Sequence, residues 1–214
     1  MTSVAETMPT CDLRCARVAD VLPDDAAYES AYSRLPTWRR RKCDAFRFLS
    51  DRRRSVAAWL VLRQMLSERG FDADSLSVSE NAFGKPTFDS RLGLYFGLSH
   101  AGDRVMAVVG DGPVGCDVEK IAPFDEAVAR QCLTDEELAK VRRASPGSDR
   151  DREFIRLWVR KEAYVKADGR GFGIDPKSVS VLADKFPPGW RFRDLHFPDG
   201  YLGCAVCNHA GVFK

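Results

Sequence analysis

The 214-residue chain has no apolar run long enough to span a bilayer, no evenly paired set of cysteines and almost no net charge, and each absence removes a class of protein. A bilayer core needs about 20 consecutive apolar residues, and no window approaches that. Residues 1–9 have neither the basic start nor the apolar stretch of a secretory signal, so the expected location is the cytoplasm. The 7 cysteines, Cys11, Cys15, Cys43, Cys116, Cys132, Cys204 and Cys207, are odd in number and scattered, unlike the framework of a small secreted domain. They read as reduced thiols, most of them buried. With 33 basic and 31 acidic side chains the formal charge is +2, which gives neither nucleic acid nor a membrane a bulk electrostatic hold. A P-loop is missing, and so is a G-x-G-x-x-G after a strand. Gly169, Gly171 and Gly173 follow a helical pattern instead of preceding one, which suits a helix end rather than a phosphate cradle.

What is present is an ordinary globular composition, 44% hydrophobic, enough for one large domain or two small packed ones. Apolar alternation predicts a strand over residues 11–22, followed by helices over 24–35, from Pro36 through the basic cluster, and from a Ser50-Asp51 cap to Gly70. In the last of these Val56, Trp59, Leu60 and Leu66 recur at helical spacing and face a core. The period then shortens to strands at 76–79, 93–99, 104–109 and 114–119. Helices are expected at 124–133, at 136–143 behind the capping box Thr134-x-x-Glu137, and at 150–167, then strands at 178–182, 190–196 and 201–207. The order implies an α+β protein of two halves that meet near residues 110–114. The small apolar strands 105–109 and 202–207 give a faint hint of internal duplication.

Asp117-Val118-Glu119 ends an apolar strand, and period-two alternation puts both carboxylates on one face with Cα atoms roughly 6 to 7 Å apart. Such a pair suits either a divalent cation shared with phosphate oxygens or plain salt bridging at a strand end. In Trp158-x-x-x-Glu162-x-x-x-Lys166, a spacing of four stacks the three side chains on one helix face, equally compatible with a displayed acid–base pair and with a solvated ion pair. Further phosphate-binding candidates are Lys85 in Gly84-Lys85-Pro86, Ser99-His100 at a strand end, Arg54-Ser55, and the cluster Arg39 to Lys42 with Arg47, Arg52 and Arg53. Cys204-x-x-Cys207 with His209 offers half a zinc site, but no second pair has fitting spacing, and buried strand thiols are the stronger reading.

Taken in order, Gly84-Lys85-Pro86, Leu98-Ser99-His100-Ala101-Gly102, Gly115-Cys116-Asp117-Val118-Glu119-Lys120 and Trp158-x-x-Lys161-Glu162-Ala163-x-x-Lys166-x-x-Gly169 resemble the Sfp-type 4′-phosphopantetheinyl transferases, in the subgroup with a W-x-x-K-E-A helix. The resemblance covers residues 36–207; one departure is Cys116, where the family carries Val or Ile. It implies the α+β fold of that family, two similar α/β subdomains related by a pseudo-twofold axis, here residues 1–112 with the coenzyme A nucleotide and 3′-phosphate contacts and residues 113–214 with the metal and catalytic residues. It implies a monomeric enzyme of the holo-acyl-carrier-protein synthase type. Such an enzyme moves the phosphopantetheine arm of coenzyme A to a serine of an acyl, peptidyl or aryl carrier protein and releases 3′,5′-ADP with Mg²⁺ bound.

By the same resemblance Asp117, Glu119 and Glu162 hold Mg²⁺, Glu162 deprotonates the serine, Lys166 neutralises the phosphate as it leaves, and Lys161 supports that site. Arg39, Lys42, Arg54, Ser55, Gly84, Lys85, Pro86, Ser99 and His100 surround the adenine, 3′-phosphate and diphosphate. Phe124, Val128 and Leu133, just after the metal strand, are apolar candidates for packing on a carrier helix. Two rival readings use the same residues. One is a coenzyme A or nucleotide-binding protein without transferase activity; the other is a metal-dependent phosphohydrolase, a class with a denser Asp and His set than this chain supplies.

Overall fold

In the computed structural model, which describes residues 10–208 and 212–213, the expected first strand divides in two. Strand β1 (Thr10–Arg17) stops where Asp103 captures the chain: its carbonyl accepts from Val18 N and its carboxylate from Ala19 N. The short helix α1 (Val18–Val21) follows. Helix α2 (Asp25–Ser33) is capped by Asp24, which accepts from Ala27 N at 2.7 Å, and α3 (Thr37–Asp44) opens after Pro36 as its sequence predicts. The long helix α4 (Leu49–Glu68) starts just ahead of the expected cap; Ser50 and Asp51 lie in its first turn, and Asp51 pairs with Arg54.

A small hairpin, β2 (Val78–Glu80) with β3 (Pro86–Phe88), precedes β4 (Tyr95–Ala101), β5 (Arg104–Gly110) and β6 (Val114–Lys120). Next come α5 (Glu126–Cys132), α6 (Asp135–Arg143) behind the predicted capping box, and α7 (Ser148–Asp168), closed by Gly169 in the left-handed region at φ 87°. Strands β7 (Trp190–Phe197), β8 (Tyr201–Asn208) and β9 (Val212–Phe213) end the described chain.

No strand forms at residues 178–182. A 3-10 turn, Pro176–Ser178, stands there, and the backbone groups that a strand would have paired are taken by side chains. Lys161 donates to Val179 O, Arg160 to Val181 O, and Val181 N to Glu137 Oε1. Residues 1–9 and His209 of the sequence-level zinc reading lie outside the described residues.

The strands form a β4-β5-β1-β9 sheet and an antiparallel β6-β8-β7 sheet. Helix α4 packs on the first: Val56, Trp59, Leu62 and Leu66 meet Val105, Ala107 and Val109. Helix α7 packs on the second: Leu157, Val159 and Ala163 meet Leu202, Cys204 and Val206. The opposite faces meet in a third cluster, where Met106 and Val108 touch Val114, Cys116, Val118, Ala205 and Cys207. The central strands β5 and β8 are therefore apolar on both faces, which explains their continuous rather than alternating hydrophobic runs. Gly115 is required for the approach of α7, since a Cβ there would lie 2.3 Å from Ala163 O. Among the described residues no helix is long and apolar enough to cross a membrane.

Candidate active site

Strand β6 turns Val114, Cys116 and Val118 into the seam, so alternation delivers Asp117 and Glu119 to the opposite face, towards α7. Helix α7 answers with Trp158, Glu162 and Lys166, which line one wall of a cleft of about 770 Å³. Lys166 Nζ lies 2.5 Å from Asp117 Oδ1. The Trp158 side chain hydrogen-bonds to Glu119, so this ring serves the carboxylate as well as the packing of its helix. Burial pushes the Glu119 carboxyl up to about 7, helped by the charges of Asp117 and Glu162 and opposed by Lys166. Glu162 is raised by burial and by Asp117. For Lys166, burial works to lower the pKa, and the Asp117 carboxylate more than offsets it, so the ammonium is held above its ordinary value.

The basic end of the cleft is built from the first half. Arg39, Lys42, Gly84, Lys85 and Pro86 line it together with Glu162 and Lys166. Arg39 is buried without a carboxylate: one terminal nitrogen donates to Ser55 O and Ser55 Oγ, both at 2.7 Å, and its buried Nε has no partner. Burial lowers its pKa. His100 is held neutral, its pKa lowered to about 4 by burial and then by Arg54, Arg39 and Lys166. Lys85 Nζ donates to Val114 O at 3.2 Å and Ala167 O at 3.1 Å, and burial lowers it to about 8. Lys42 pairs with Glu80 at 3.0 Å. Arg54, Ser55 and His100 are tied to this group by those contacts, and neither they nor Ser99 line the cleft.

Three expectations change. Lys161 is turned away from the cleft: it is 2% exposed, 2.7 Å from Glu137, itself 0% exposed, and donates to Pro176 O and Val179 O. Lys161 follows the core side chain Leu157 by four residues, which puts it on the core side of α7. Leu133 is buried in the second core and Phe124 stacks edge-on against Phe154 at 5.4 Å, which leaves Val128, 40% exposed, as the accessible apolar side chain of that trio. Ser99 bonds Asp117 and not the basic group.

Asn81 is a positioning residue that the sequence reading missed. Its side-chain oxygen accepts from Phe83 N and Lys85 N, and its amide donates to Gly169 O at 2.8 Å, pinning the Gly84-Lys85-Pro86 turn to the end of α7. An Asn opening a glycine turn was the available signal.

A 4′-phosphopantetheinyl transferase superfamily model matches residues 113–202, the segment that carries both acidic motifs. The chain is 32% identical over 175 residues to the 4′-phosphopantetheinyl transferase psf-1 of Bacillus pumilus, covering 80% of this chain and 72% of that one. The chain belongs to the Sfp-type 4′-phosphopantetheinyl transferases. It is also 26% identical over 172 residues to the 4′-phosphopantetheinyl transferase Sfp of Bacillus subtilis strain 168, covering 78% of this chain and 73% of the relative. The 4′-phosphopantetheinyl transferase AcpT of Salmonella typhimurium is 36% identical over a shorter 116 residues, 53% of this chain and 59% of AcpT. The α+β architecture, with one long helix packed on each sheet, agrees with the fold expected of this family.

Whether a divalent cation fits can be asked of the carboxylates directly. Among the described residues, no three Asp, Glu, His or Cys side chains stand close enough to form a ready cage. Asp117, Glu119 and Glu162 nonetheless act on one another electrostatically, with Lys166 the single cation among them. Asp117 Oδ2 is buried and has no hydrogen-bond partner. A surplus of buried negative charge and an orphaned carboxylate oxygen are what a hard cation would satisfy. The set fits Mg²⁺.

Proposed function

We propose that the chain transfers the phosphopantetheine arm of coenzyme A to a serine of an acyl, peptidyl or aryl carrier protein, releasing 3′,5′-ADP, and so converts the carrier to its holo form. The observation that carries this reading is one cleft whose lining joins Arg39, Lys42 and Lys85 at one end to Glu162 and Lys166 at the other. A nucleotide with a 3′-phosphate and a diphosphate needs this distribution of charge. Residues 1–112 supply the nucleotide and 3′-phosphate contacts, and residues 113–214 the metal and catalytic groups. A single chain thus holds the whole site.

Arg39 and His100, with Arg54 and Ser55 behind them, receive the 3′-phosphate; the unpartnered Arg39 Nε supports this. The Gly84-Lys85-Pro86 turn, pinned by Asn81, receives the adenine. Asp117, Glu119 and Glu162 would hold Mg²⁺, which when bound neutralises the diphosphate. Glu162 accepts the serine proton directly or through a water. Lys166 steadies the charge that develops on the departing phosphate. No covalent intermediate is needed, since positioning and charge neutralisation carry phosphoryl transfer.

The test is transfer by Glu162→Gln and Asp117→Ala proteins of verified fold. Both should lose more than about 100-fold in turnover. Near-normal turnover by either removes that residue from the mechanism.

A further inference from the structure

Ser99 is fully committed inside the protein. Its hydroxyl donates to Asp117 Oδ1 at 2.9 Å and accepts from Val118 N at 3.3 Å and from Lys166 Nζ at 3.4 Å. A serine hydroxyl has one proton and two lone pairs, and these three bonds use all of them. The side chain is buried, 6% exposed, on the inward face of β4, opposite β6. It has no donor left for a phosphate oxygen unless it first releases Asp117.

We infer that Ser99 is a positioning residue for the acidic centre and not a ligand of the nucleotide phosphates. It fixes Asp117 through Oδ1, the oxygen that Lys166 also binds, and leaves Oδ2 as the unpartnered oxygen for the cation. Because its other bonds run to the Val118 amide and to Lys166, one hydroxyl ties β4 to β6 across the two sheets and orients the α7 lysine. The strand that carries His100 is thereby tied to the strand that carries Asp117. The inference rests on the proposed function for the identity of the cation site, and its test is chosen to separate the two.

Two substitutions, Ser99→Ala and Ser99→Thr, are compared with the unmodified chain. Mn²⁺ binding is followed by electron paramagnetic resonance with saturating coenzyme A present, and turnover is measured with coenzyme A and with 3′-dephospho-coenzyme A. Loss of a group that orients a metal ligand costs about 10- to 100-fold in metal affinity or activity. Ser99→Ala should therefore weaken Mn²⁺ binding by about tenfold or more. It should also lower kcat by the same factor on both nucleotides, with KM for each unchanged. Ser99→Thr, which keeps the hydroxyl, should restore Mn²⁺ affinity. A loss confined to coenzyme A, with 3′-dephospho-coenzyme A turned over normally, assigns Ser99 to the 3′-phosphate and overturns the inference. Equal Mn²⁺ affinity in Ser99→Ala and the unmodified chain overturns it as well, whether or not any carrier is modified. If the unmodified chain modifies no carrier yet Ser99→Ala still weakens Mn²⁺ binding, the transferase reading fails while the role of Ser99 stands.

Discussion

The Lys166 ammonium and the Asp117 carboxylate are paired at 2.5 Å across the boundary between α7 and β6. A cation arriving at Asp117 meets a positive charge already seated on one of its oxygens. Removing that charge separates the electrostatics of metal binding from catalysis. Lys166→Met should tighten Mn²⁺ binding, by roughly tenfold for one nearby charge at moderate screening, while lowering kcat by about 100-fold or more. Titration of Mn²⁺ alongside turnover checks both. Unchanged kcat would take Lys166 out of the chemistry.

Lys161 and Glu137 form a buried pair whose remaining bonds hold residues 176–181 against α7. Breaking such a pair from one side leaves an uncompensated charge, at a cost of about 3 to 5 kcal/mol. Lys161→Ala is expected to melt well below the unmodified chain in a thermal scan. Turnover measured below that melting point should fall by much less than for Lys166→Met. A stable Lys161→Ala protein with abolished transfer would return Lys161 to the catalytic group.

His100 gives a signed pH dependence. Its folded pKa, lowered to about 4, lies below the ordinary value, so as pH falls below about 6.5 the unfolded chain takes up a proton that the native state refuses. Stability from this group is fully present above pH 6.5 and is lost on the way down through pH 4. The loss amounts to about 1 to 3 kcal/mol, reduced from the full shift because the ring is only half-buried. Denaturant midpoints at pH 7.5 and 5 should therefore fall further for the unmodified chain than for His100→Gln. Coenzyme A, by placing an anion beside Arg39 and Arg54, should shrink that difference. Parallel pH profiles for the two proteins would contradict the buried neutral histidine.

The division between what the sequence shows and what it hides follows the range of the interaction. Asp117 with Glu119 and Glu162 with Lys166 are legible because periods of two and of nearly four set which face a side chain takes without knowledge of the rest of the fold. The capping box at Thr134 and the left-handed glycine ending α7 are equally local. Lys161 was not legible, because its partner Glu137 is on another helix and only tertiary packing brings them together. The strand expected at residues 178–182 fails for the same reason: three distant side chains claim its backbone groups. Leu133 reads as available for docking only until the second core is seen to enclose it.

Val128 is the accessible apolar side chain left on the face proposed for the carrier. Val128→Asp puts a charge where an apolar helix face would pack, and should raise KM for the carrier by about tenfold through a loss of 1 to 2 kcal/mol. An unchanged carrier KM would move the docking surface elsewhere.

The most direct test of the account mixes the chain with Mg²⁺, coenzyme A and an unmodified carrier domain and measures the intact mass of the carrier. The predicted result is a gain equal to one phosphopantetheine group, absent when the carrier serine is replaced by alanine. No gain on any of several acyl, peptidyl and aryl carriers, with coenzyme A bound all the while, would contradict it and leave a coenzyme A-binding protein without transferase activity.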